Sequence, residues 1–333
     1  MEDSNGAVGI SIKNGEKPDT KNISVDFTLD TDNKAIEKAN LGKTPQKCKI
    51  CNAAGDFQSW RGTERFVGLL DEFIYFECPE CETLQIQEFP ENIDKYYAHD
   101  YYSFQTPQIQ PVRPGAVRDT RMILDVGCGA GNWLCFLATI GCVNLFGCDP
   151  FIQKDITYAN GVKIKKCSIH EMQGEYDVIH LSHSFEHMPD PHEVFKTFGR
   201  LLKRGKGVYG EAPKIEIDIP IFPNLAFDIY GPFWYQMDPP RHYFLHSVKG
   251  IKMLAEENGF EITNLQYNGS GSQYSVSRAY QLGGTFVRYG DIINNDPKLS
   301  ELRKQLTLME NLSQWAVLTK CTDVALFTLL RKN

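Results

Sequence analysis

The sequence predicts an α/β protein whose main domain is a doubly wound parallel sheet, preceded by a small metal-binding unit. Three observations carry this. From Arg121 onward, apolar runs of strand length alternate with helix-like apolar periodicity. The first run, residues 122–126, ends in glycines spaced one apart, Gly127, Gly129 and Gly131, and a helical pattern follows over 133–140. Strand, glycine turn and helix in that order bring a ligand to the carboxyl edge of a parallel sheet, because glycine lets the backbone approach it without a Cβ in the way. Upstream lie two C-x-x-C pairs, Cys48/Cys51 and Cys78/Cys81.

Composition bounds the rest. A chain of 333 residues with 42% hydrophobic content is long enough for two domains and a sizeable core. A net charge of −7 argues against a protein that grips nucleic acid by its phosphates. No run of eighteen apolar residues reads as a membrane span, and the first residues lack the basic-then-apolar order of a signal peptide. A cytoplasmic location with reduced cysteines is therefore expected. Six of the ten cysteines, Cys128, Cys135, Cys142, Cys148, Cys167 and Cys321, sit in apolar segments and read as small core residues.

Taken in order, residues 1–45 are polar and read as a mobile arm, with one short strand over 23–29. Residues 46–90 form the metal-binding unit. A C-x-x-C turn presents two thiolates to one ion, and two such turns complete a tetrahedral zinc site. The 26 residues between Cys51 and Cys78 leave room for a hairpin. Four thiolates leave no open position, so the zinc is expected to be structural, and in so small a unit it supplies much of the folding energy. Residues 91–118 are a linker dense in tyrosine and then proline. They pack between the domains or form a strap over the ligand pocket. Residues 119–333 make the main domain.

The ligand is narrowed by spacing. The loop reads D-x-G-x-G-x-G, with Asn132 where a dinucleotide fingerprint would place its last glycine, and Asp125 would repel a diphosphate. Asp149 ends the next strand, about 20 residues past the loop, where a carboxylate accepts from ribose hydroxyls. A ribose, no pyrophosphate and a cationic end near Asp125 describe S-adenosylmethionine.

Further strands are expected over 162–167, 176–182 and 208–212. A helix follows residue 190, with Asp190 as cap, Pro191 in first position and Glu193 closing a capping box. Residues 214–245, rich in proline and aromatics, read as an insertion covering an acceptor pocket. In it, Trp234, Tyr235 and Tyr243 either stack on a ring acceptor or plug the lid. Ser247 caps a helix to Glu257. A strand over 261–267, a helix over 298–317 and a strand over 321–330 complete the chain.

Four pieces together, Asp125-Val-Gly-Cys-Gly-Ala-Gly131, Gly147-Cys-Asp149, Phe185-Glu-His187-Met-Pro-Asp190 and Pro240-Arg-His242-Tyr-Phe-Leu-His246-Ser, resemble the class I, Rossmann-like SAM-dependent methyltransferases. With the cysteine pairs in front, the chain looks like bacterial enzymes that methylate sugars, polysaccharides or secondary metabolites. The TDP-sugar C-methyltransferases similarly join a four-cysteine zinc domain to this fold. Their Glu-His-containing signature is absent downstream of the knuckles here, so their carbon chemistry is not carried over. The resemblance implies a seven-stranded sheet with an antiparallel last pair at its edge. It also implies cofactor contacts from Asp125, Gly127, Gly129, Gly131 and Asp149, and adenine contacts from Ser168 and Ile169.

Methyl transfer from a sulfonium needs alignment, and a hydroxyl acceptor also needs a base. His183 and His187, flanking Glu186 at the carboxyl edge, are the first candidates for that base, and His242 from the insertion is the next. Glu186 either orients a histidine or, with His187, helps hold a divalent metal, as a similar pair does in some quinone-biosynthesis O-methyltransferases. The expected function is methylation of a small-molecule or sugar/glycan-precursor acceptor, with oxygen favoured. Two alternatives are an RNA or protein methyltransferase docking its acceptor through the zinc unit, and a non-catalytic scaffold. The sequence leaves the oligomeric state open.

Overall fold

The computed structural model describes residues 33–97, 102–286 and 300–332, with backbone alone at 102, 300–308 and 311. The expectations for 1–32, including the strand over 23–29, lie outside the described residues, as do 98–101 of the tyrosine-rich linker.

Helix α1 (Asn33–Ala39) leads into β1 (Asn40–Lys47). Strands β1, β2 (Ala54–Thr63), β3 (Glu72–Glu77) and β4 (Leu84–Ile86) pair antiparallel in sequence order. The polar arm expected over 1–45 is thus corrected for 33–45. These residues are polar because α1 buries none of its side chains and β1 is an edge strand, held by its ladder to β2.

The main sheet begins with β5 (Asp119–Val126), followed by α2 (Asn132–Thr139), β6 (Cys142–Cys148), β7 (Ile156–Thr157), β8 (Lys163–Lys165) and β9 (Val178–Ser182). Then come α3 (Pro191–Leu201), β10 (Lys214–Pro220), α4 (Leu225–Tyr230), β11 (Phe244–Leu245), α5 (Val248–Glu257), β12 (Phe260–Asn268), α6 (Ser272–Gln281), α7 (Ser300–Thr319) and β13 (Val324–Arg331). The spatial order is β12-β13-β10-β9-β5-β6-β8-β7. Strands β8, β6, β5, β9 and β10 run parallel, and β13 enters antiparallel between β10 and β12. This is the expected Rossmann-like methyltransferase sheet of seven strands, with two-residue β7 added at the edge.

Helix α2 closes one face, where Leu134, Cys135 and Ala138 pack with Ile123, Leu145, Val162, Ile164 and Val178, joined by Cys142. Helix α3 presents Val194, Phe195, Phe198 and Leu201, all fully buried. Each such side chain contributes about 2 kcal/mol, and Phe198→Ala would cost about 3–5 kcal/mol through the cavity it leaves.

Three expectations are corrected here. The strand expected over 208–212 is a turn, with Val208 and Tyr209 about half exposed. The strand is instead β10, where Ile215, Ile217 and Ile219 alternate with polar residues and are fully buried. The period-two pattern lies after Pro213, so the insertion starts near Ile221 rather than at 214. The capping box at α3 does not form either: Pro191 takes the first position, but no side-chain cap bond is made. Asp190 turns to His170 instead, at 3.4 Å. At α5 the expected Ser247 cap is present, accepting from the Gly250 N–H.

The insertion is built of α4 and short 3-10 turns around fully buried Tyr230, Trp234 and Met237. Trp234 therefore plugs the insertion. Strand β11 pairs with β4, so the main-domain chain completes the small sheet.

Candidate active site

The glycine loop leaves β5 with Gly127 and Gly129 in left-handed conformations, φ 72° and 54°. A side chain at Gly127 would collide with Ser184, and one at Gly129 with the Ser103 carbonyl. That carbonyl accepts from the Ala130 N–H at 2.8 Å, so residue 103 of the linker lies against the loop. Gly131, also left-handed at φ 81°, opens α2. The Asp149 carboxylate, buried at the end of β6, accepts from the Gly129 N–H at 2.9 Å and the Phe151 N–H at 2.8 Å. A carboxylate has about four acceptor sites, so these backbone bonds leave it capacity for a further donor. Burial pushes its pKa up, against those backbone bonds.

Asp125 is also buried, and its carboxylate meets His180 Nδ1 at 3.0 Å. The Trp133 indole stacks on that imidazole, with ring centroids 3.8 Å apart and planes at 14°. His180 was missed in the sequence; its only signal is a polar residue inside an apolar strand. Ser168 opens a 3-10 turn, with its N–H and hydroxyl both on Glu171 at 2.9 Å. Ile169 beside it is buried.

The second half of the site follows β9. His183 has φ 49°, a left-handed geometry that a β-carbon disfavours, and its N–H is held by the Asp218 carbonyl at 2.8 Å. Ser184 bonds the Val126 carbonyl at 2.7 Å, which seats the turn behind the glycine loop. The next turn buries Glu186 completely. Its Oε1 lies 3.6 Å from His183 Nδ1 and 3.8 Å from His242 Nε2, ion-pair distances too long for hydrogen bonds, and neither oxygen has a hydrogen-bond partner. The His187 and His242 rings are 4.8 Å apart. Their Nδ1 atoms face backbone carbonyls, Arg241 at 2.8 Å and Gln236 at 2.7 Å. A carbonyl only accepts, so each Nδ1 carries the proton and each Nε2 keeps its lone pair. The structure therefore gathers all four expected residues, His183, Glu186, His187 and His242.

Their environments differ. Burial pushes His187 and His242 down to about 4, despite Glu186 beside them. Burial also works to lower His183, but Glu186 outweighs it and holds the ring above its ordinary value. Burial alone would raise Glu186; the three histidines hold it at about 2. The side chain of His183 is 38% exposed and those of Glu186 and His242 almost wholly buried, so His183 is the open member. Ligand atoms of Glu186, His187 and His242 lie within 4.8 Å of one another. A buried carboxylate without a hydrogen-bond partner, facing two carbonyl-anchored imidazoles, is a donor set that fits a divalent ion.

Cys48, Cys51, Cys78 and Cys81 also converge, with Sγ pairs Cys48–Cys81 and Cys51–Cys78 both at 3.5 Å. Tetrahedral zinc with Zn–S near 2.3 Å puts sulfurs about 3.8 Å apart, so the set fits zinc. Each knuckle turns through a left-handed residue after its second cysteine, Asn52 and Glu82. The hydrogen bond with the neighbouring Cys81 thiol lowers the pKa of Cys48. This unit reaches the histidine site directly. The Tyr75 hydroxyl donates to the His242 carbonyl at 2.8 Å, Ile86 N–H to the Tyr243 carbonyl at 2.9 Å, and Ser247 Oγ to the Cys81 carbonyl.

Sheet order, glycine loop and paired carboxylates define the class: an S-adenosylmethionine-dependent methyltransferase. The family model of the methyltransferase domain matches residues 97–265, just over half of the chain, and the protein belongs to that family. It is 28% identical over 192 residues to a ubiquinone biosynthesis O-methyltransferase of Bordetella avium (strain 197N), covering 51% of this chain and 73% of the relative. It is 30% identical over 198 residues to the enzyme of that name from Bordetella parapertussis, covering 51% and 78%. The cyclopropane synthase MmaA2 from Mycobacterium tuberculosis aligns with a TM-score of 0.40 at 13% identity, covering 65% of this chain and 79% of that one. Among the described residues no helix is long and apolar enough to cross a membrane.

Proposed function

We propose that this methyltransferase transfers the methyl group of S-adenosylmethionine to a hydroxyl oxygen of a small-molecule or sugar/glycan-precursor acceptor, with His183 as the general base. The observation that carries this is the position of His183. It stands one residue before Ser184, which packs against Gly127, and its half-open ring is backed by the Glu186 carboxylate. Donor binding falls to Asp125, the glycine loop and Asp149. Residues 168 and 169 lie along the expected adenine edge. The relatives' name, O-methyltransferase, supports oxygen as the accepting atom. His187 and His242 are weaker bases than His183, because burial disfavours their protonated forms and lowers their pKa to about 4. An RNA or protein acceptor has less support: it would use the basic residues Lys163, Lys165, Lys166, Lys203, Arg204 and Lys206, which lie in separate elements, and Lys203 is already engaged by Asp177 at 2.6 Å.

The test is turnover on phenolic, catechol and glycosyl acceptors, then His183→Ala and His187→Ala on whichever acceptor reacts. His183→Ala should lower turnover at least 100-fold, the usual worth of a general base, while S-adenosylhomocysteine affinity is retained. Unchanged turnover removes the assignment.

A second reading of the same cluster is favoured by the donor set: Glu186, His187 and His242 hold a divalent cation. When bound, such an ion lowers the pKa of a coordinated acceptor hydroxyl. Loss of turnover on chelation, restored by magnesium or manganese and absent in Glu186→Gln, would support it. The four cysteines, on our reading, hold a structural zinc whose sheet scaffolds the insertion through β11 and Tyr75.

A further inference from the structure

We infer that His180 and Trp133 are positioning residues for the donor's cationic end: the imidazole aims the Asp125 carboxylate, and the indole holds the imidazole in place. The inference rests on the cofactor reading of the glycine loop.

Asp125 and His180 are direct cross-strand partners in the parallel β5–β9 register, so their side chains leave the sheet on one face. The carboxylate meets His180 Nδ1 at 3.0 Å. Because a carboxylate only accepts, that nitrogen is the donor. One Asp125 oxygen is thereby fixed, and the carboxylate plane with it. His180 is itself clamped. Trp133 belongs to the first turn of α2, two residues past Gly131, and its ring lies parallel to the imidazole. Glycine loop, indole, imidazole and carboxylate thus form one stack of contacts, and a ligand that orders the loop acts on Asp125 through it.

An apolar residue at 180 would continue the strand as well. Its neighbours Val178, Ile179 and Leu181 are all buried and apolar. Burial raises the pKa of the Asp125 carboxyl, and the hydrogen bond from the imidazole works against it. A merely structural histidine would stabilise the fold without setting the affinity for a cation. A positioning histidine sets that affinity, and a donor of the same reach should replace it. The asparagine amide places an N–H close to where Nδ1 stands, so His180→Asn should rescue what His180→Ala loses.

The experiment is calorimetric titration of the full zinc-loaded chain with S-adenosylhomocysteine, with thermal unfolding of each variant as the folding control. Asp149→Ala reports on the cofactor reading and should abolish binding. His180→Ala should weaken binding at least tenfold, the worth of one hydrogen bond to a charged group, and His180→Asn should recover most of it. Trp133→Phe should remove the tryptophan fluorescence change on binding. Wild-type binding by Asp149→Ala overturns the cofactor reading itself. Loss in Asp149→Ala with wild-type affinity in His180→Ala overturns only the positioning role. So does His180→Asn binding no better than His180→Ala while both unfold at the parent's midpoint. If His180→Ala does not fold, the Asn variant and Trp133→Phe decide: wild-type affinity in Asn with the fluorescence change lost in Phe supports the role, and an unchanged fluorescence response refutes it.

Discussion

Replacing Asp323 with asparagine should make the protein more stable, and increasingly so as the pH rises. Asp323 is 1% exposed at the start of β13. One carboxylate oxygen receives the Trp234 indole N–H at a long 3.4 Å, and the other has no partner. Burial pushes the carboxyl from 3.8 up to about 7. The folded state then holds the proton more tightly than the unfolded chain does, so stability falls as pH rises between those two values. The destabilisation is then on the order of 1–2 kcal/mol at pH 5 and a few kcal/mol, about 4, at pH 7. Asparagine keeps the shape and an acceptor for Trp234, but it cannot ionise. Thermal unfolding of parent and variant across that pH range is the assay. The variant's midpoint should exceed the parent's by a margin that grows with pH, reaching about 5 °C at neutral pH. Parallel curves, or a variant less stable throughout, would refute the reasoning. The carboxylate lies near His183, close enough to favour its charged form. A destabilising group kept beside the candidate base is where function and stability are expected to oppose each other.

Three other perturbations separate the parts of the site. Gly129→Ala requires a left-handed alanine pressed into the Ser103 carbonyl, and it should abolish S-adenosylhomocysteine binding in calorimetry while the zinc content stays intact. Tyr75→Phe leaves the buried His242 carbonyl without its hydroxyl donor, which should cost about 1–2 kcal/mol, read as a lower unfolding midpoint; an unchanged midpoint would mean the bond is not made in solution. Cys78→Ser should release zinc, measured by metal analysis, and with it the near-ultraviolet dichroism of the aromatics packed around the small sheet; full zinc retention would remove Cys78 from the ligand set.

What could be read in advance follows from how each feature is encoded. The glycine loop, the knuckles, the helix start at Pro191 and the Ser247 cap are local. Each depends on residues within a few positions, where backbone sterics and short-range bonds decide, and each was legible. The strand after Pro213 was misplaced because Val208 and Tyr209 imitate a buried run, whereas the true signal was the alternation of Ile215, Ile217 and Ile219 with charged residues. The capping box failed because a partner distant in sequence, His170, competes for Asp190. Harder to read was the union of the two sheets. Two residues of β11 pair with β4, and Tyr75 reaches a carbonyl 167 positions away. Nothing in the local pattern of Phe244 and Leu245 distinguishes a two-residue strand from a loop. Yet that union explains why His242, ranked behind His183 and His187 in the sequence, faces the same carboxylate. The insertion is held on one side by Tyr243 N–H to the Glu186 carbonyl at 2.9 Å and on the other by the small sheet. The four-cysteine unit therefore contributes to the wall of the candidate active site, and on the proposed reading loss of a metal held there should be felt at His242 before it is felt at the glycine loop.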